Sequence, residues 1–167
     1  MIRRIAATAV AILAVAVAAA PGLAQAQADD RVVLTGVKEL KVAFDVLEGD
    51  AKGLLNRLNV IDETRASLIK QGVTPNFVVA FRGPATKLVQ TDVSKIKPED
   101  REVATKIAAK LDEMSKAPGV ASIEQCSVAI RQQETKAENV LPAIKVVGNS
   151  WISLMAYQSR GYGYIRP

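Results

Sequence analysis

The chain of 167 residues contains one thiol, Cys126, and no histidine. Without histidine, Ser-His-Asp and Cys-His catalysis are excluded, as are the usual zinc, copper and non-haem iron ligand sets. A single cysteine forms neither an internal disulfide nor a CxxC redox pair. Two interpretations remain: a thiol that acts alone as a nucleophile or sulfur carrier, or a small buried hydrophobic residue.

Cys126 follows the apolar run VASIE (residues 120–124) and precedes a helical pattern. At a helix amino terminus, unpaired N–H groups and the helix dipole favour the thiolate over the thiol. Arg131, five residues further on, adds positive charge near this position. A carboxylate beside the thiol, such as Glu124, would raise its pKa. We interpret Glu124, and Asp45 at the end of another strand, as solvated loop residues.

A second candidate binding segment is FRGPATK, residues 81–87. Gly83 permits a tight backbone turn, and Pro84 is well placed at the first position of a helix. Helix N–H groups with Arg82 and Lys87 nearby would hold a small anion. The simpler interpretation, which we favour, is an ordinary strand-to-helix turn with two solvated cations, because the segment has no glycine-rich phosphate pattern.

Several known cofactor and phosphate motifs are excluded. The Cys-x5-Arg loop of low-molecular-weight tyrosine phosphatases requires five intervening residues, whereas only four separate Cys126 from Arg131, and none of them is glycine. The chain also has no GxGxxG, Walker or flavin-binding signature. No cofactor and no metal are therefore predicted.

The elements that must position Cys126 alternate between strands and helices. Period-two and short apolar runs predict strands, and apolar residues at helical spacing predict helices between them, in the order β-α-β-α-α-β-α-β-α-β. This alternation predicts right-handed crossovers and a parallel sheet covered on both faces. The fold class is therefore α/β, a three-layer α/β/α sandwich with a mainly parallel five-stranded sheet, flavodoxin-like. In such a sheet the functional surface lies at the carboxyl ends of the strands.

The first 26 residues have the pattern of a secretory signal peptide. Arg3 and Arg4 precede an uncharged run from Ile5 to Ala20, and small residues for cleavage follow. An uncleaved membrane anchor is less favoured, because the run is shorter than the roughly 20 residues of a spanning helix and is mostly alanine. We therefore predict a signal peptide over 1–26, an N-terminal arm over 27–36, one domain over 37–167 and a periplasmic location, with no membrane attachment after cleavage.

The charge pattern argues against nucleic acid as a partner. The full chain has 22 basic and 17 acidic side chains, a net charge of +5, and the excess is spread along the sequence. Aromatic residues make up only 4%, too few for a base-stacking surface. Near the carboxyl terminus, Trp151, Leu154, Met155 and Tyr157 form either a core stripe or a subunit contact. We expect Leu154 and Met155 to lie in the core.

The carboxyl-terminal sequence VLPAIKVVGNSWISLMAYQSRGYGYIRP resembles the ending of the DsrE/DsrF-like family, lP.v..v.sg...l...Q..Gy.yi.P. The matching residues are Leu141, Pro142, Val146, Val147, Ser150, Leu154, Gln158, Gly161, Tyr162, Tyr164, Ile165 and Pro167. The earlier segments LLNRLN and FVVAFRGPATKLV are also similar, so the resemblance covers residues 37–167.

This resemblance implies a flavodoxin-like sandwich that assembles into homo-oligomers, trimers or hexamers. It also implies a sulfur-relay role, in which Cys126 carries sulfane sulfur as a persulfide between a thiol-bearing donor and acceptor protein. The relay proteins of the family work in the cytoplasm, whereas this chain carries an export leader. The alternative function is a non-catalytic oligomeric periplasmic binding protein in which the cysteine is structural.

Overall fold

The computed structural model describes residues 30–167, and the predicted signal peptide lies outside them. Five strands form one sheet: β1 Glu39–Val46, β2 Thr74–Phe81, β3 Val120–Cys126, β4 Lys145–Val147 and β5 Gly163–Ile165. Four α-helices connect them: α1 Ala51–Lys70, α2 Arg101–Ser115, α3 Ser127–Gln132 and α4 Ser150–Gln158. The segments Gly83–Leu88, Val93–Lys95, Pro98–Asp100 and Ala137–Asn139 are 3₁₀ helices.

The sheet has the strand order β4-β3-β2-β1-β5, and every neighbouring pair of strands is parallel. The chain steps in one direction from β1 to β4 and then returns to place β5 beside β1. Right-handed crossovers put connections of opposite direction on opposite faces of a sheet. The helices α1, α2 and α3 therefore cover one face and α4 covers the other, which confirms the predicted three-layer flavodoxin-like fold.

The larger core lies between the sheet and the first group of helices. The side chain of Asp50 caps α1 by accepting the N–H of Gly53 at 2.7 Å, and the chain turns away from the helix at Gly72, with φ +78°. Apolar residues at helical spacing in α1 and α2 pack onto strand residues such as Phe77. The buried helix residues are Leu54, Leu58 and Ile61 in α1 and Ile107, Leu111 and Met114 in α2.

The second core is small because one short helix covers that face. It contains Ala43 of β1, Val78 and Ala80 of β2 and Leu154 of α4. The prediction that Leu154 lies in the core is correct, but the same prediction for Met155 is wrong: its side chain is 61% exposed. Neighbouring positions on a helix point about 100° apart, so a single covered stripe accommodates one of them and not both.

The arm predicted over 27–36 is partly described. Its residues from Arg31 to Gly36 form turns, and Leu34 packs against the larger core. Within residues 30–167, none of the helices combines the length and the apolar character needed to cross a bilayer.

Candidate functional site

Side chains from four adjacent strands meet at the carboxyl edge of the sheet, on the face covered by α4. Asp45 follows Ala43 by two positions and Arg82 follows Ala80 by two, so both share the face of the smaller core. Tyr164 of β5 pairs with Ala43, and Cys126 ends β3. The row across the sheet is therefore Cys126, Arg82, Asp45 and Tyr164.

Cys126 is the last residue of β3 and the cap of α3. Its Sγ accepts a hydrogen bond from the backbone N–H of Ser150, the first residue of α4, at 3.3 Å. Burial raises the pKa of the Cys126 thiol, but the N–H of Ser150, with those of Ala129 and Val128, outweighs burial and lowers the pKa below its ordinary value. Two helix amino termini thus converge on one sulfur atom and favour its ionised form.

Cys126 is one of the residues that line a pocket of about 210 Å³. The residue itself is buried, with only 4% of its surface exposed. Both apolar and polar residues line the pocket. Its lining residues are Arg82, Gly83, Cys126, Val128, Ala129, Gln132, Asn149 and Trp151.

Arg82 is held in a fixed orientation beside the pocket. Its Nε and Nη2 donate to the two carboxylate oxygens of Asp45 at 2.7 and 2.6 Å, and the Tyr164 hydroxyl donates to the same carboxylate at 2.6 Å. The bond to Asp45 raises the pKa of Arg82, and the indole ring of Trp151 lies 5.8 Å from the guanidinium carbon. The cation is therefore permanent and well positioned, with much of its charge compensated by Asp45.

Four candidate site residues were predicted from the sequence: Cys126, Arg82, Gly83 and Arg131. The structure brings the first three into one pocket. Gly83 lines it with Arg82 and Cys126, and adopts φ +57°, a left-handed conformation that glycine tolerates best. Pro84 follows at the start of the predicted helical turn, which is a 3₁₀ helix. Arg131 is exposed and is not among the lining residues; its Nη1 donates instead to the carbonyl of Ser127 at 3.5 Å.

The prediction that Asp45 and Glu124 are solvated is wrong. Asp45 is 0% exposed and Glu124 is 3% exposed. Glu124 accepts hydrogen bonds from the hydroxyls of Tyr157 at 2.7 Å and Ser122 at 3.1 Å, and from that of Ser153. Both carboxylates lie near the end of a strand. Residues of α4 cover Glu124, whereas Arg82 and Tyr164 of β5 bind Asp45.

The contribution of α4 to the site was not predicted from the sequence. Ser150 supplies the N–H to Sγ, while Asn149 caps the helix by accepting the N–H of Trp151 at 2.9 Å. An Asn-Ser pair before an apolar run is a helix-start signal and locates this amino terminus in the sequence. Its position beside Cys126 follows from the pairing of Val147 with Cys126 in the β3–β4 ladder, which the sequence does not specify.

Fold and site together define a flavodoxin-like α/β protein with a shielded, ionisable thiol at the carboxyl edge of its sheet. Among residues 30–167 there is no group of three or more acidic, cysteine or histidine side chains arranged to hold a metal ion. No family model matches the chain.

Known proteins that are similar to this chain include one sequence relative and one solved structure. An uncharacterized protein of Aquifex aeolicus (strain VF5) is 28% identical over 126 residues, which are 75% of this chain and 55% of that protein. The chain thus spans about half the length of this curated relative. A solved structure of a protein of unknown function from Methanobacterium thermoautotrophicum matches with a TM-score of 0.60 and 18% identity, over 78% of this chain and 99% of that one. This structural likeness shows the fold alone.

Proposed function

We propose that the protein accepts sulfane sulfur on Cys126 as a persulfide and passes it to a second thiol. The observation that supports this most directly is the hydrogen bond from the Ser150 N–H to a sulfur that also lines a pocket. A nucleophilic or sulfur-carrying cysteine needs a stabilised thiolate and access for its reaction partner. Neither the uptake of sulfur by the thiolate nor its transfer to the acceptor requires histidine or a metal. This agrees with a chain that contains no histidine.

The chemistry balances with thiosulfate as the donor. The Cys126 thiolate attacks the outer sulfur, a new S–S bond forms, and the original S–S bond breaks with both electrons leaving on sulfite. The product is the persulfide anion of Cys126. An acceptor thiolate then attacks the outer sulfur and leaves with it, which returns Cys126 as a thiolate. Arg82 is the cationic residue among those that line the same pocket.

The test is the intact mass of the protein after incubation with thiosulfate or polysulfide. We expect a mass increase of one sulfur atom, reversed by a thiol reductant, in the native protein. Cys126→Ser is the matched control and acquires no sulfur. The proposal fails if the native protein gains no sulfur, or if Cys126→Ser gains as much.

The setting of this activity is also proposed. The leader pattern supports export to the periplasm, and the outward face of α4 supports assembly into homo-oligomers. Trimers or hexamers are the assemblies that the DsrE/DsrF-like resemblance implies. That face carries Trp151, Ile152 and Met155, all largely exposed and adjacent on the helix. Clusters of exposed large apolar residues are typical of protein contact surfaces. A thiol-bearing protein is the proposed donor or acceptor.

A second function is favoured by the low exposure of the sulfur. With only 4% of Cys126 accessible, the residue also suits a packing role in a non-catalytic oligomeric binding protein. A thiol reagent distinguishes the two functions. If the native protein resists alkylation until it is denatured, the binding function is preferred; if native Cys126 reacts, the sulfur-carrier function is preferred.

A further inference from the structure

Glu124 is a buried carboxylate that the proposed sulfur transfer does not use. It lies two residues before Cys126 on β3, and their side chains share the face covered by α4. A carboxylate removed from water is costly unless it is hydrogen-bonded or paired. Among the described residues, its partners are three hydroxyls: those of Ser122, Ser153 and Tyr157.

Two of these three hydroxyls belong to the helix that begins at Ser150. Ser153 and Tyr157 follow Ser150 by three and seven positions, so all three residues lie on one face of α4. Oε2 of Glu124 accepts from Ser153 and Oε1 accepts from Tyr157. Burial and this bond to Glu124 raise the pKa of Tyr157 to about 12, so the phenol remains a donor at physiological pH.

We propose that Glu124 is a positioning residue for Cys126: by binding α4 at two points, it holds the N–H of Ser150 against the sulfur. The functional meaning of this inference rests on the proposed role as a sulfur carrier. The contacts of Glu124 with α4 and of Ser150 with Cys126 are independent of that role. A hydrogen bond of 3.3 Å to sulfur is sensitive to small displacements of the helix. A rigid connection between β3 and α4 keeps this donor in place.

The charge of Glu124 acts in the opposite direction, since a nearby carboxylate disfavours the thiolate. Substitution of Glu124 itself therefore changes two things at once. Tyr157→Phe and Ser153→Ala each remove one donor and leave the formal charge of the site unchanged. Tyr162→Phe is the matched control: its hydroxyl donates to Asn76 at 2.8 Å, and its ring packs edge-to-face on Tyr157.

The experiment measures the pH midpoint of Cys126 ionisation in the native protein and these variants, from the alkylation rate against pH and, independently of reagent access, from the ultraviolet absorbance of the thiolate against pH. We expect the midpoint to rise by about half a pH unit in Tyr157→Phe and in Ser153→Ala. This is roughly a threefold loss of thiolate below the midpoint. In the double variant the rise is larger, and in Tyr162→Phe the midpoint does not change. Ser153→Ala, which deletes a single oxygen atom, provides the test if Tyr157→Phe fails to fold.

The inference is overturned if the midpoints do not differ between the two test variants, Tyr157→Phe and Ser153→Ala, and the control Tyr162→Phe. Glu124 would then have a purely structural role. The intact-mass measurement with thiosulfate is made on the same native protein. Absence of a sulfur adduct there would refute the sulfur-carrier function, while the alkylation midpoints would still decide whether Glu124 positions α4.

Discussion

The backbone N–H of Ser150 lies 3.3 Å from Sγ of Cys126, although the two residues are 24 positions apart in the chain. The contact exists because β4 pairs with the end of β3, so that the chain leaving Val147 enters α4 beside the sulfur. The thiolate is thus stabilised by a helix distant in sequence as well as by the short α3 that follows it. With the added N–H of Ser150, the pKa of the thiol is lower than α3 alone would make it.

The first prediction concerns the acidity of Cys126. Because the N–H groups around Sγ lower its pKa in the folded state, the alkylation rate should reach half its maximum at a lower pH in the folded protein than in urea. An unfolded thiol titrates near pH 8.5. Iodoacetamide kinetics followed by mass spectrometry measure both midpoints. Equal midpoints, or a higher one in the folded protein, would contradict this prediction.

The second prediction concerns the pair of Asp45 and Arg82. Asp45→Ala leaves the guanidinium and the Tyr164 hydroxyl without their acceptor, and we expect a loss of about 2–3 kcal/mol in unfolding free energy. This value is below the roughly 3–5 kcal/mol of fully buried pairs, because Arg82 keeps some solvent contact. Urea denaturation measures the loss.

The matched control is Asp112→Ala, which removes an exposed i,i+4 pair with Lys116 and should cost less than about 1 kcal/mol. Equal losses would show that the pair has no special role.

The third prediction uses Trp151, the only tryptophan of the chain. It lines the same pocket as Cys126, and its ring lies close to Arg82. Loading the thiol with an anionic sulfur adds a charge beside this ring, so the fluorescence emission should change in step with the mass adduct. In Cys126→Ser the emission stays constant when the donor is added. An adduct without any change in emission would place the loaded sulfur away from the indole ring.

The fourth prediction concerns the outward face of α4. If that face forms a subunit contact, Ile152→Glu buries a charge at the contact, and the oligomer should dissociate. Sedimentation velocity measures the distribution of species. Ile69→Glu is the control, because Ile69 is also an exposed isoleucine on a helix but lies on α1. A monomeric native protein, or the same behaviour in both variants, would exclude α4 as the interface.

Much of the fold follows from local patterns. The stripe of Ile107, Leu111 and Met114 locates α2, and the apolar run of β2 predicts a strand buried on both sides. Alternation of strands and helices then restricts the topology, because parallel crossovers have one hand. The candidate site is predictable in part: Arg82, Gly83 and Cys126 each end a strand or begin the turn after it.

The errors concern residues whose surroundings come from distant parts of the chain. Asp45 and Glu124 carry charged side chains, which are usually solvated. In this fold, β5 and α4 cover them and supply hydroxyl donors. Met155 has an apolar side chain of the kind found in cores, but it faces outward. Only one side of α4, the side that carries Leu154, packs on the sheet. Burial depends on which surfaces meet, and local patterns do not contain that information.

By itself, the sequence determined the class of fold, the order of its elements and the presence of one thiol before a helix. These depend on periodicity and composition, which act over short stretches of chain. Only the tertiary structure decided that a second helix amino terminus faces the sulfur, that Asp45 orients Arg82, and that Glu124 anchors α4. The physical reason is that hydrogen bonds and burial depend on distances across the sheet, and strand order sets those distances.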